Sequence, residues 1–350
     1  MKFIRAVILL ALFSKSPHLF AQPLPRIIIL ATGGTIAGQG AASDRAKYAS
    51  GKIPVDDLVA AIPSIKKIAT ISGEQIASIG SYDMTVEIWL KLATRINEIF
   101  NNKEADGVVI THGTDTQEET AFFLSCTVKR GNPVVLTGSM RPATAISADG
   151  PKNLYDAILV AANPQSKNRG VLVSFNENLY DGRSIVKVNT TNVNAFAAPN
   201  SGPVGHVYDG KLDYYTTADN TTKGIFFDVN KLQQLPRVDI VYMYAGAPAT
   251  FITTIVTEKA QGLIIGGVGN GNMNKAFLAA VDSAVKKGVT VVRSTRVVSG
   301  SVTLYNEIDD EKLGTLVAGE LNPPKARILL MLALTKTTNR KQLQELFLQH

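Results

Sequence analysis

The apolar residues of this chain are concentrated in short runs rich in Val and Ile, and most runs end in Gly, Thr, Ser or Asn. These runs predict strands at residues 26–32, 107–112, 133–138, 170–175, 238–244, 262–267 and 289–293. Amphipathic patterns between them predict helices at residues 85–100, 117–130, 151–162, 251–259, 274–287 and 324–334. Strands that are apolar on both faces and alternate with helices are typical of parallel sheets covered by helices on both sides. The pattern therefore predicts an α/β fold.

A polar stretch at residues 189–236, rich in Thr, Asn, Gly and Asp, divides this pattern into two series. The length of 350 residues also exceeds what one hydrophobic core usually fills. We therefore predict two α/β domains, each with a mainly parallel sheet flanked by helices. The larger N-terminal domain is expected at residues 22–212, a linker at 213–236 and a smaller C-terminal domain at 237–350.

The first residues have the layout of a secretory signal peptide. Lys2 and Arg5 precede an apolar stretch at residues 6–13, and a short segment then ends at Ala21. A membrane-spanning helix needs about 20 apolar residues, so this stretch is too short to span a bilayer. A buried N-terminal helix is the alternative, but no capping signal or amphipathic period supports it. We expect residues 1–21 to be removed on export.

Composition and charge exclude several other classes of protein. The net charge of +7 falls to +4 without residues 1–21, and the remaining Lys and Arg are scattered, so no nucleic-acid partner is expected. One Cys, Cys126, forms no intrachain disulfide, and four His without an H-E-x-x-H motif make a metal site unexpected. No second segment is apolar enough to indicate a membrane partner.

Candidate chemistry lies where the predicted strands end, because open parallel sheets bind ligands beyond the carboxyl ends of their strands. Gly33 and Gly34 precede Thr35 after the first strand, and Thr114 and Asp115 follow the second. A glycine pair permits a sharp turn, and free backbone N–H groups there would suit an oxyanion. The pattern predicts a site with hydroxyl and carboxylate groups at one edge of the sheet.

A threonine nucleophile needs an activating group, since a free hydroxyl reacts weakly. Lys187 lies a few residues after the strand predicted at 170–175 and is a candidate base if it is desolvated. The chain has no G-x-S-x-G motif and no P-loop, so neither an α/β-hydrolase serine nor a P-loop nucleotide site is supported.

Several segments together resemble the bacterial L-asparaginases of the asparaginase/glutaminase family. The similarity extends from about residue 25 to the C-terminus, and the periplasmic type II enzymes resemble the chain most because of its export segment. The matching segments are TGGTIA at 32–37, GEQ at 73–75, GSYDM at 80–84, THGTD at 111–115, MRP at 140–142, SADGP at 147–151, NLY at 153–155, GNGN at 269–272, RSTRV at 293–297 and LNPPKAR at 321–327.

The resemblance implies an amidohydrolase that converts L-asparagine to L-aspartate and ammonia without a metal or an organic cofactor. It implies that Thr35 is the nucleophile of a β-aspartyl-enzyme intermediate and that Tyr48 belongs to a lid. Thr114, Asp115 and Lys187 match the second catalytic group. The first domain, residues 22–212, would then be the catalytic one.

The same resemblance implies contacts to the substrate. Ser81 would hold the α-carboxylate and Asp115 the α-ammonium group, with Ser139 also in the binding site. The backbone N–H groups of Gly34 and Thr114 are candidates to stabilise the negative charge on the amide oxygen.

A second subunit is also implied. Asn272 and Glu307 match residues that reach a neighbour's site, in a homotetramer built as a dimer of intimate dimers with shared active sites. Glu307 would act in catalysis as well as in binding, and either the Tyr48–Glu307 side or the Lys187 side could deprotonate Thr35. The location implied is the periplasm.

One residue departs from the family pattern, and two alternative functions remain open. Tyr82 follows Ser81, where the family usually has Gln or Glu, so the balance between asparagine and glutamine is undecided. A dual glutaminase-asparaginase is one alternative, because one methylene in a substrate is worth only about 1–3 kcal/mol. The other is a monomeric periplasmic amino-acid binding protein, which would need neither Thr35 nor Lys187.

Overall fold

The chain folds into two α/β domains, in agreement with the predicted fold class. The computed structural model describes residues 23–40, 48–49, 51–218 and 226–349. The expected signal peptide at residues 1–21 lies outside the described residues.

The N-terminal domain is built on an eight-stranded sheet with helices on both faces. Its strands, including four short ones outside that sheet, are β1 (Arg26–Gly33), β2 (Gln39–Gly40), β3 (Tyr48–Ala49), β4 (Thr70–Ile79), β5 (Gly107–Thr111), β6 (Val134–Thr137), β7 (Val171–Phe175), β8 (Asn178–Asp181), β9 (Val186–Lys187), β10 (Phe196–Ala197), β11 (Gly205–Tyr208) and β12 (Lys211–Tyr214). Its helices are α1 (Val55–Ala60), α2 (Val86–Asn101), α3 (Gln117–Thr127) and α4 (Gly150–Ala162). Short 3-10 turns occupy Thr35–Ala37, Pro63–Lys67, Ser81–Asp83 and Pro164–Ser166.

Strand order places β1 and β5, which precede the predicted site residues, next to each other near one side of this sheet. The order is β12-β11-β8-β7-β6-β5-β1-β4. The pairs from β4 to β7 are parallel, and β8, β11 and β12 add antiparallel pairs at one side. The carboxyl ends of β1 and β5 are therefore adjacent.

The two faces of the sheet form separate cores because successive side chains in a strand point in opposite directions. In β1, Ile27 and Ile29 pack with α1 and α4, whereas Ile28 and Leu30 pack with α2 and α3. All four side chains are buried. This explains why the strand reads as an uninterrupted apolar run.

The C-terminal domain is smaller and its sheet is wholly parallel, in the order β13-β14-β15-β16. Its strands are β13 (Val238–Tyr242), β14 (Gly262–Gly267), β15 (Thr290–Thr295) and β16 (Leu316–Val317). Its helices are α5 (Thr250–Thr257), α6 (Lys275–Lys286), α7 (Asp310–Leu313), α8 (Pro323–Leu334) and α9 (Arg340–Gln349).

Helix α8 joins the two domains. Asn322 caps its N-terminus, since its side-chain oxygen accepts a hydrogen bond from the Lys325 N–H, and Pro323 occupies the first helical position. The helix is apolar around almost its whole circumference, as expected of a helix buried on all sides. It packs against α3 of the N-terminal domain as well as against β13 and β14.

The sequence pattern missed several elements that are not apolar on both faces. Strand β4 lies at the sheet edge, and most of its residues are only partly buried, so it contains no continuous apolar run. The hairpin β11–β12 is likewise half exposed. Strand β12 includes Asp213, so the sheet continues past the domain boundary expected at residue 212.

Candidate active site

A cleft opens at the carboxyl ends of β1 and β5. It contains about 410 Å³ of free space and is open to solvent. The residues that line it are Gly34, Thr35, Gly80, Ser81, Tyr82, Gly113, Thr114, Asp115, Met140, Lys187 and Thr190. Thr35, Thr114 and Lys187, which are far apart in sequence, therefore share one cleft.

Two glycines allow the turns around this cleft to touch. A Cβ atom on Gly34, whose φ is +78°, would lie 2.4 Å from the backbone nitrogen of Gly113. A Cβ atom on Gly113 would lie 2.6 Å from the Ser81 hydroxyl oxygen. Both distances are too short for real atoms, so only glycine allows the turns that carry Thr35, Thr114 and Ser81 to approach this closely.

The Gly34 N–H is not available to stabilise an oxyanion. It donates a hydrogen bond of 2.8 Å to the Ile79 carbonyl oxygen. The expectation that the glycine pair leaves this N–H free is therefore wrong. The reason is that Ile79 ends β4, the edge strand that the apolar pattern does not reveal.

Lys187 connects the two groups that follow β5. Its Nζ lies 2.9 Å from Thr114 Oγ1 and 2.6 Å from Asp115 Oδ1. The Lys187 side chain is 16% exposed and that of Asp115 is 58% exposed, so the pair bridges the wall of the cleft and its mouth. An ammonium group that contacts a hydroxyl and a carboxylate fixes the relative position of both.

Ser81 is hydrogen-bonded to the turn that follows β5. Its hydroxyl oxygen accepts a hydrogen bond of 3.1 Å from the Asp115 N–H, and its carbonyl oxygen accepts one of 2.7 Å from the Thr116 hydroxyl. A serine hydroxyl that accepts one hydrogen bond still has its own hydrogen to donate. Ser81 can therefore donate into the cleft.

His112 lies beneath the cleft and is neutral. Burial lowers its pKa to about 4. The Trp89 indole N–H donates to Thr120 Oγ1, which leaves the single hydroxyl hydrogen of Thr120 to donate to His112 Nε2. Nδ1 then carries the imidazole proton and donates to the Gly113 carbonyl oxygen at 2.7 Å. His112 thus holds the glycine of the turn in place.

Asn272 and Glu307 lie together, away from this cleft. The Asn272 side-chain amide donates to Glu307 Oε2, and neither residue lines the cleft around Thr35 in the same chain. Asn272 Oδ1 is buried and has no hydrogen-bond partner among the described residues. Glu307, in contrast, is exposed, so the pair is accessible from solvent through Glu307.

Three other predicted residues have distinct positions. Ser139 is fully buried, and its hydroxyl donates to the Arg141 carbonyl oxygen at 2.7 Å rather than lining the cleft. Tyr82 lies at the mouth, where 72% of its surface is exposed and its ring covers Gly80. The backbone of Tyr48 belongs to β3, paired with β2; its side chain, with residues 41–47 and 50, lies outside the described part of the chain.

Two buried charged residues near these groups were not singled out from the sequence. Glu118, in the first turn of α3, accepts a hydrogen bond of 2.5 Å from the Lys187 backbone N–H. Arg293 in β15 contacts the loop that contains Asn272. An acid in the first turn of a helix is ordinary, so sequence offers no signal for Glu118.

The described residues contain no group of three or more His, Cys, Asp or Glu side chains arranged to hold a metal ion. Within the same residues, no helix has the length and apolar character needed to cross a membrane.

Comparisons with known proteins cover both domains. The asparaginase N-terminal family model matches residues 26–220, and the glutaminase/asparaginase C-terminal domain model matches residues 237–347. The chain is 49% identical to L-asparaginase 2 of Escherichia coli (strain K12), over 94% of each protein. It is also 49% identical to a probable periplasmic L-asparaginase of Haemophilus influenzae, over 93% of each.

A solved structure gives the same result. The crystal structure of a probable cytoplasmic L-asparaginase from Campylobacter jejuni matches with a TM-score of 0.88 at 46% sequence identity, covering 93% of this chain and all of the other. The segments TGGTIA and THGTD, which surround the cleft, both lie within the residues that the N-terminal family model matches. The chain therefore belongs to the asparaginase/glutaminase family.

Proposed function

We propose that this protein is an L-asparaginase that hydrolyses the side-chain amide of L-asparagine to L-aspartate and ammonia. The observation that carries the proposal is the Lys187 contact with Thr114 and Asp115, in the cleft that Thr35 also lines. The cleft thus combines a candidate nucleophile with a hydroxyl, an amine and a carboxylate in mutual contact, which is the set of groups that acyl transfer requires.

An amino-acid substrate has one positive and one negative group that the site must bind. We assign the α-ammonium group to Asp115, whose carboxylate is more than half exposed toward the cleft mouth. The Ser81 hydroxyl, with its hydrogen free to donate, is assigned to the α-carboxylate. This arrangement places the amide of the substrate deeper in the cleft, toward Thr35.

The reaction proceeds in two steps. The Thr35 hydroxyl oxygen attacks the amide carbon, the C–N bond breaks, and the proton lost by Thr35 ends on the departing ammonia. Water then attacks the β-aspartyl-Thr35 ester, releases L-aspartate and restores the Thr35 hydroxyl. Because the Gly34 N–H is occupied by Ile79, the Thr114 N–H is our remaining backbone candidate for the oxyanion.

We assign the proton transfer to Thr114 and Lys187. These two groups line the cleft with Thr35, whereas Glu307 of the same chain does not. Tyr48 keeps its expected place in the lid within this proposal. Gly34 lines the cleft with its N–H bonded to Ile79, and Ser139, whose buried hydroxyl is bonded to Arg141, is assigned no direct contact with the substrate.

A neighbouring subunit completes the site in our proposal. Asn272 and Glu307 do not line the cleft around Thr35 of their own chain, and Glu307 is exposed, which suits residues that reach into another chain's cleft. The assembly proposed is a homotetramer of two intimate dimers, in which residues 22–212 form the catalytic domain and 237–350 the completing one. We propose export to the periplasm after loss of residues 1–21.

The test is release of ammonia from L-asparagine and from L-glutamine by the purified protein. We expect kcat/KM to be higher for L-asparagine. Equal values would indicate the dual glutaminase-asparaginase, and binding of L-asparagine without ammonia release, by a monomer in light scattering, would indicate the binding protein.

A further inference from the structure

The segment that carries Lys187 is held by the C-terminal domain of the same chain. Lys325 in α8 is 2% exposed, and its Nζ donates to the carbonyl oxygens of Arg183, at 2.7 Å, and of Ile185. Burial lowers the pKa of Lys325 to about 8, against the opposing effect of Glu118. Strand β9 has only two residues, so these contacts supply much of what fixes the segment.

Glu118 bridges this segment to the same helix. Its Oε2 accepts the Lys187 backbone N–H at 2.5 Å, and its Oε1 accepts the Asn322 side-chain amide at 2.9 Å. The other side-chain atom of Asn322, Oδ1, accepts the Lys325 N–H at 3.2 Å as the cap of α8. Because Oδ1 caps the helix, Nδ2 faces Glu118. The Asn322 amide could exchange these two atoms only by losing the hydrogen bond that caps the helix.

We propose that Glu118 and Asn322 are positioning residues for Lys187, through which the C-terminal domain of one chain sets the place of its own catalytic amine. Residues 114–118 then hold Lys187 at both ends of the residue. Thr114 and Asp115 contact its Nζ, and Glu118 contacts its backbone N–H. The inference rests on the proposed function for the role of the amine, and on the hydrogen bonds alone for the positioning.

Exchanging the carboxylate of residue 118 and the amide of residue 322 tests the positioning role directly. In Glu118→Gln, the new side-chain amide has one donor group where the carboxylate had two acceptors. In either orientation its NH₂ group faces another N–H donor, from Asn322 or from Lys187, and one hydrogen bond is lost. Asn322→Asp places a carboxylate against Glu118. In the double variant, the new amide donates to the new carboxylate while its oxygen still accepts the Lys187 N–H, and the net charge is that of the wild type.

We expect each single variant to lower kcat for L-asparagine by about 10- to 100-fold with a smaller change in KM. A shift of about 1 Å in the Lys187 amine is enough to slow the reaction by that factor. The double variant should recover to within about threefold of wild type. Hydrogen exchange of the Lys187 amide should rise in the single variants and fall back in the double one. A merely structural contact would instead change the free energy of unfolding without changing kcat or the exchange of the Lys187 amide.

A milder pair of variants covers the possibility that the single variants do not fold. Asn322→Ser keeps a helix cap but replaces the amide that donates to Glu118 with a shorter hydroxyl, so kcat should still fall. The matched control is Asn200→Ala, which removes another hydrogen bond between the domains, to the Gly300 N–H at 2.8 Å, and should leave kcat unchanged.

The positioning role is overturned if the folded single variants keep wild-type kcat and wild-type exchange at Lys187, or if the double variant regains stability without regaining kcat. An inactive wild type would instead refute the proposed function, and the exchange data would then still decide the positioning.

Discussion

The cleft around Thr35 and the Asn272–Glu307 pair are built in opposite ways, although each follows the carboxyl ends of parallel strands. In the cleft, short polar contacts join groups that are partly open to solvent, such as Lys187 and Asp115. The pair does not line that cleft, and the loop before Asn272 rests on a fully buried ion pair between Arg293 and Asp310. The comparison shows that one domain provides an open cleft, whereas the other provides a rigid support for two groups that we propose to act in another chain's cleft.

The Arg293 guanidinium group supports the loops that carry Asn272 and Glu307. It contacts both oxygens of Asp310 at 2.6 Å and donates to the carbonyl oxygens of Asn270, Gly271 and Thr303. One side chain thus fixes the turn before Asn272 together with residue 303, a few positions before Glu307. A bidentate pair with these extra partners holds a loop more precisely than backbone contacts alone.

The strongest test of the cleft is removal of the nucleophile. Thr35→Ala should lower kcat by at least about 10⁴-fold, because the hydroxyl that we propose forms the ester is lost. Ammonia release and light scattering measure activity and assembly. Thr35→Ser retains a hydroxyl and is the control, which should keep measurable turnover. Substantial activity in a correctly assembled Thr35→Ala protein would refute the assigned nucleophile.

The second test asks whether the pair serves another chain. Glu307→Gln alone should be nearly inactive, as should Thr35→Ala. When the two proteins are unfolded, mixed and refolded, shared sites should restore about a quarter of wild-type activity, since mixed dimers then contain one intact site each. Mixing each variant with itself is the control. A mixture that stays inactive despite forming mixed tetramers would mean that Glu307 acts in its own chain.

The third test removes the support of the pair. Arg293→Met leaves the Asp310 carboxylate buried without its partner, so the free energy of unfolding should fall by about 3–5 kcal/mol. The matched control is Arg26→Met, which breaks the exposed pair with Asp106 and should cost far less because solvent screens that pair. Urea unfolding measures both. Similar losses in the two variants would show that burial of the Arg293 pair has no special effect.

A fourth test lowers the pH to protonate His112, which holds the turn that contains Gly113. Folded His112 has a pKa of about 4 and the unfolded residue about 6.5, so the unfolded chain binds more protons between these values. Stability should therefore be lost as pH falls from 6.5 to 4, by up to about 3 kcal/mol. Urea unfolding across this range, compared with His112→Asn, isolates the effect. A wild type and variant with parallel pH profiles would contradict the neutral, buried imidazole.

Much of this molecule could be predicted from runs of similar residues, and the rest depends on partners that are distant in sequence. The Val and Ile runs located the central strands, and Gly-flanked threonines located Thr35 and Thr114. The Gly34 N–H was misjudged because its acceptor, Ile79, ends a half-exposed strand without an apolar run. The contact between Glu118 and Asn322 spans 204 positions, and no local spacing could indicate it.

The smallest expected effect concerns the mouth of the cleft. Tyr82 is largely exposed and covers Gly80, so Tyr82→Gln should leave the free energy of unfolding within about 0.5 kcal/mol of wild type. A carboxamide at this position presents its donor and acceptor to the substrate in a different geometry from that of a phenol. The ratio of kcat/KM for L-asparagine to that for L-glutamine should therefore shift by about tenfold, within the 1–3 kcal/mol that a single contact provides. Tyr208→Gln, a similarly exposed tyrosine on β11, should not change the ratio. An unchanged ratio in both variants would mean that Tyr82 does not contact the substrate, and that selectivity is set by the groups deeper in the cleft.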